Sequence, residues 1–130
     1  MLRRLVAPAG VALTAVAGFA VIASVDPNEP GHYPVCPFLA VTGLYCPGCG
    51  TLRALHALSQ GDVATGFARN PMTMLAVPFL LYVWAAWVGR EVRGAVRTTM
   101  APAWWLWALA GGVVAFWVLR NVPGFGWLAP

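Results

Sequence analysis

The sequence predicts an all-α membrane protein: three transmembrane helices, with short interfacial helices in the first loop. Three observations carry this. Hydrophobic residues make up 60% of the 130 and charged residues only 9%, against about a quarter charged in soluble domains. Three long runs lack any charge, and the Gly, Pro and polar residues that punctuate turns gather between the first two. A water-soluble fold is excluded because so few charges cannot cover its surface. Disorder is excluded because seven Trp, six Phe and three Tyr would collapse in water.

The first run covers residues 5–25. At about 1.5 Å per residue, a helix of that length matches the roughly 30 Å hydrocarbon core. The second covers 71–89 and stops at Arg90. The third covers 101–119, is rich in Trp, and is short enough to require a near-upright helix. Pro8, Pro78 and the Gly111-Gly112 pair fall inside these runs, where lipid tolerates helix breakers, so they predict kinks. Arg3 and Arg4 before the first run also fit a signal-peptide n-region, with Val21-Ile22-Ala23 as a small-x-small cleavage site. The apolar run exceeds an ordinary signal core, which favours an uncleaved anchor. Either outcome sends the next loop to the same side.

Arginine placement sets the orientation. Arg3, Arg4, Arg90, Arg93 and Arg97 lie on one side; Arg53, Arg69 and Arg120 lie on the other, diluted by Asp26, Glu29 and Asp62. The positive-inside rule then places the N-terminus in the cytoplasm and the 26–70 loop outside, in the extracytoplasmic space. Trp84, Trp87, Trp104 and Trp105 are expected at the inner interface, and Trp117, Phe125 and Trp127 at the outer. The net charge of +4 is thus a topology signal. No Lys is present and no basic stripe interleaves with aromatics, so nucleic acid is excluded as a partner. No charged residue falls within the three runs, which disfavours transport.

All candidate chemistry lies in the 26–70 loop. It opens with the spacer Asp26-Pro27-Asn28-Glu29-Pro30-Gly31, then carries Cys36, Cys46 and Cys49 in the pattern C-x9-C-x2-C. A short helix is predicted from Thr51 to Gln60, with Gly61 as its stop and Leu55 and Leu58 toward the membrane. A second runs to Arg69 behind an Asp62 N-cap, and Asn70-Pro71 supplies the N-cap and first residue of the second span.

Three readings of the cysteines stand together. Cys46-Pro47-Gly48-Cys49 has the spacing of redox thiols: a helix starting there would lower their pKa and Arg53 would add positive charge, with Cys46 attacking and Cys49 resolving. Cys-Pro-x-Cys-Gly is also the form of a zinc knuckle, with Cys36 and His32 as further ligands and His56 as a competitor for the fourth place. The simplest reading is a structural disulfide from Cys36 to Cys46 or Cys49, stabilising by about 2–3 kcal/mol and leaving one thiol over. Haem attachment is excluded because Gly50 stands where C-x-x-C-H needs His. No Ser-His-Asp set, paired carboxylates or phosphate-binding Gly loop is present. The residues therefore favour a structural or accessory role over catalysis. Partners are then the lipid bilayer and a larger membrane complex, and zinc is the one cofactor the residues suggest.

The series Cys36-Pro37, Thr42-Gly43, Cys46-Pro47-Gly48-Cys49-Gly50, Arg53-Ala54, Gly61-Asp62 and Asn70-Pro71, followed by an apolar span, resembles the domain of unknown function 2752 family of small bacterial membrane proteins. The resemblance covers roughly residues 34 to 90. It implies an integral protein of the bacterial plasma (inner) membrane with a cysteine-bearing loop, in which Gly43, Pro47, Gly48, Gly50, Asp62, Asn70 and Pro71 belong to the motif. It brings no established activity.

Overall fold

The computed structural model describes residues 2–95 and 102–129, and among these every regular element is helical. Helix α1 spans Leu2–Ser24, α2 Pro37–Thr42, α3 Thr51–Ser59, α4 Val63–Arg69, α5 Pro71–Arg93 and α6 Ala103–Leu119, with a single 3-10 turn at Gly126–Leu128. Helices α1 and α5 are long and apolar enough to cross a membrane; α6 is shorter.

Both long helices carry their apolar side chains outward. Leu13 is 73% exposed and Tyr82 72%, and only 6% of each apolar stretch is buried. The core helix of a soluble protein would be mostly covered, and neither of these is. Proline inside α1 and α5 does not end either helix. At Pro8, which is fully buried, the Trp84 indole Nε1 donates to the Pro8 carbonyl at 3.0 Å and ties α1 to α5. Trp84, expected as an interfacial anchor, therefore spends its N–H on the neighbouring helix. Trp87 donates to Glu91 one turn on at 3.1 Å, and Trp104 stacks on Trp105 at 5.0 Å.

Two boundaries differ from the sequence expectation. Helix α5 runs past residue 89 to Arg93, because loss of hydrophobicity does not break a helix; the stop is Gly94, whose φ of 66° is the left-handed cap that glycine adopts without strain. The third run was expected to begin at 101, but residue 101 and Arg97 lie outside the described residues, and α6 is described from Ala103.

The loop elements follow local signals more closely. Asp62 caps α4 by accepting from the Thr65 amide at 2.9 Å, and Asn70 caps α5 by accepting from the Thr73 amide at 3.1 Å with Pro71 at the first helical position. Helix α2 was not anticipated. The core forms where α3, α4 and the start of α5 meet: Ala54, Ala57 and Met74 are buried, and a Cβ on Gly66 would stand 2.7 Å from the Met74 Sδ. Small residues let these short helices approach closely, and the approach sets the platform on which the cysteines sit.

Candidate metal centre

Cys36 precedes Pro37 and occupies the N-cap position of α2. After six helical residues Gly43, at φ 71°, reverses the chain and leads it back through Leu44 and Tyr45 to Cys46. A tight turn follows: the Cys49 amide donates to the Cys46 carbonyl at 3.1 Å, and the Thr51 amide to the Gly48 carbonyl at 3.0 Å. Gly50 enters α3 at φ 84°, a conformation other residues adopt only under strain. The turn also aims the Cys46 amide at the Cys49 sulfur, 3.3 Å away.

This path gathers all three sulfurs within 4.8 Å of one another, with Sγ–Sγ separations of 3.5 Å for Cys36–Cys46 and 3.2 Å for Cys46–Cys49. The cysteines are free thiols. A tetrahedral zinc with Zn–S near 2.3 Å holds its sulfurs about 3.8 Å apart. The two short separations would have to open by about 0.3 and 0.6 Å to reach that spacing, and the Cys36–Cys49 separation, which is within 4.8 Å, is compatible with it. A disulfide instead requires contraction to about 2.05 Å.

Carbonyls of the turn are held by side chains from distant helices. Arg120, at the C-terminal end of α6 and only 2% exposed, donates to the Cys46 carbonyl at 2.9 Å, Pro47 at 3.2 Å and Cys49 at 3.1 Å. Its guanidinium also lies over the Phe116 and Tyr45 rings, 4.9 and 5.8 Å from their centroids. Asn70, fully buried, donates to the Pro47 and Cys49 carbonyls at 3.0 and 3.1 Å. Asn121 brackets Tyr45, accepting from its amide and donating to its carbonyl, each at 2.8 Å.

Cys36 and Cys49 are electrostatically unequal. Cys36 lies below the ordinary thiol range, chiefly because the Leu39 amide in the first turn of α2 faces its sulfur, although no capping hydrogen bond forms. Cys49 is 7% exposed, and burial, reinforced by the Cys46 thiol, pushes it up to about 12. The helix-terminus effect expected from a helix starting at the Cys46-Cys49 motif is absent at Cys49 and present at Cys36, because α3 starts only at Thr51, beyond the turn.

Other residues singled out from sequence lie elsewhere. His32 is outside the sulfur cluster: its Nδ1 meets the Asp26 carbonyl at 2.9 Å and its Nε2 lies 3.3 Å from Glu29. His56 turns to α1, its Nδ1 2.8 Å from the Ile22 carbonyl. Arg53 lines a separate cleft with Asp26 and His56. Gly48 meets only the Cys46 sulfur, at an ordinary 3.8 Å from a Cβ placed there. Arg120 and Asn121 were absent from the sequence candidates. The available signal was an Arg-Asn pair closing an otherwise apolar helix, which reads equally as a membrane boundary.

Residues 36–84 match the model of the family described as Protein of unknown function (DUF2752), the family the cysteine motif resembles. No curated protein and no solved structure matches the chain.

Proposed function

We propose, with the match to this family of unknown function as premise, that the chain is a small bacterial plasma-membrane protein whose external loop binds a soft divalent ion through Cys36, Cys46 and Cys49. The observation that carries the reading is the convergence of three sulfurs within 4.8 Å. A structural disulfide needs two sulfurs and leaves the third without a reason to be there; a thiolate-bound ion uses all three. Zinc is the ion the donor set suits, with its fourth position filled by water or by a partner. The chain would then serve a larger membrane complex as an accessory, metal-bearing subunit.

Three spans, with the N-terminus in the cytoplasm, belong to the same reading. The arginine asymmetry supports it, and so does the Arg120 clamp, which holds the end of α6 at the cysteine loop where α1 ends and α5 begins. Elemental analysis of detergent-purified protein, with cobalt substitution to reveal thiolate-to-metal absorption, tests the site. Near-stoichiometric zinc that falls on Cys36→Ser, Cys46→Ser and Cys49→Ser substitution is expected. A metal-free protein after purification in zinc with reductant would overturn the reading.

The 3.2 Å contact of Cys46 with Cys49 favours one second reading, thiol-disulfide exchange. There the Cys46 thiolate attacks a partner's disulfide and releases one thiol. Cys49, losing its proton, then displaces the second, so that two electrons pass to the partner and a Cys46–Cys49 disulfide remains. The raised pKa of Cys49 slows that second step. A reversible Cys46–Cys49 couple in a thiol-labelled redox titration would favour exchange over metal.

A further inference from the structure

Away from the cysteines, α3 and α4 and the residues after α1 enclose a second polar cleft of about 230 Å³. Its lining includes Arg53 from α3, Arg69 from the last turn of α4, and the carboxylates of Asp26 and Asp62. Both arginines are half-buried, yet among the described residues neither lies within 4.0 Å of a carboxylate oxygen or makes a side-chain hydrogen bond. Half-covered guanidiniums ordinarily find an oxyanion, because each lost water contact must be replaced. Each carboxylate uses one oxygen locally: Asp26 Oδ1 accepts from the Asn28 amide and side chain at 2.8 and 2.7 Å, and Asp62 Oδ1 from the Thr65 amide at 2.9 Å. The second oxygen of each has no partner among the described residues.

Arg53 and Arg69 therefore share one cleft with two carboxylates; the His56 Nε2 lies 3.7 Å from Asp26 Oδ1, and each carboxylate keeps its other oxygen without a partner among the described residues. A simple anion would gain two guanidiniums but meet two carboxylates. A ligand carrying both signs satisfies all four. The cleft also has a defined height, because Asp26 follows the end of α1 and Arg69 precedes the start of α5 by two residues, so it lies where both apolar helices end. His56, its ring held by the Ile22 carbonyl, forms part of the wall next to α1.

We propose that this cleft binds a zwitterionic phosphate ester of the phosphoethanolamine type, the phosphate on Arg53 and Arg69 and the ammonium on Asp26 and Asp62. Such a group is presented at that height by phosphatidylethanolamine and occurs also as a free small molecule; the recognition chemistry is the same. The cleft is independent of the metal reading and shares no residue with the sulfur cluster.

The test uses the full chain, delipidated in mild detergent and followed by native mass spectrometry. Phosphatidylethanolamine and phosphatidylglycerol are titrated separately, and free phosphoethanolamine is added as a competitor. Tighter binding of phosphatidylethanolamine is expected, with a loss of about tenfold in Arg53→Gln and in Arg69→Gln, the scale of one charge-assisted hydrogen bond. Asp26→Asn should narrow the preference over phosphatidylglycerol, a readout that a misfolded variant would not give selectively. Competition by free phosphoethanolamine assigns recognition to the headgroup alone, and lipid binding without competition adds a requirement for acyl chains; both support the site. Equal or tighter binding of phosphatidylglycerol, no binding of any probe, or arginine variants that bind like the unmodified protein would overturn it.

Discussion

Substituting Arg120→Met and Asn70→Ala, singly and together, probes how the cysteine turn is held. Arg120 gives three charge-assisted hydrogen bonds to carbonyls, but its removal also relieves the cost of burying a guanidinium, so a net loss of about 2 kcal/mol is expected. Asn70 caps α5 and donates to two of the same carbonyls, and its truncation should cost about 2–3 kcal/mol. Each single variant leaves the Cys49 carbonyl with one partner. The double variant leaves it with none while still buried, an added penalty of about 1–3 kcal/mol. The Pro47 carbonyl, only partly buried, is free to take water instead. Denaturation of the three variants and the unmodified protein in mild-detergent micelles measures the coupling. A double variant whose cost equals the sum of the singles within about 0.5 kcal/mol would refute the shared-carbonyl argument.

Three further outcomes follow from the same geometry. In metal-free protein the lowered Cys36 and the raised Cys49 fix the relative order of alkylation of these two as pH increases, with Cys36 before Cys49, which stays protonated and unreactive through neutral pH; peptide mass spectrometry after iodoacetamide pulses reads the order, and Cys49 reacting before Cys36 would contradict it. Gly50→Ala should destabilise the loop by about 1–2 kcal/mol, the cost of a left-handed residue with a Cβ, seen as a lower melting temperature in micelles. The Asp62 carboxylate is held below its ordinary 3.8 by the Thr65 hydroxyl and amide, so its contribution to α4 is complete above that value and is lost as pH falls through the lower folded-state value. Asp62→Ala should therefore lower helicity near neutral pH and make no difference in strong acid; an unchanged gap at both extremes would count against the cap.

Local signals carried much of this molecule. Uncharged length alone marked both long apolar helices, since hydrocarbon solvation depends on composition and reach rather than on any particular contact. Asp62, Asn70 and Pro71 announced their helix starts because a cap is chemistry between residues three apart. The cysteine spacing marked the donor set, and C-x2-C brings two sulfurs together within a single turn.

Tertiary structure decided the rest. Cys36 joins its two partners only because α2 and the left-handed Gly43 fold the intervening residues back, and neither periodicity nor a cap announces a six-residue helix. His32 and Arg53 were natural candidates by proximity in sequence, yet backbone direction turns His32 to the Asp26 carbonyl and Arg53 into the second cleft. The cation that holds the cysteine turn is instead Arg120, more than seventy residues away. A buried guanidinium goes wherever several carbonyls converge, and that convergence exists only after α5 and α6 have brought Asn70 and Arg120 to the same turn.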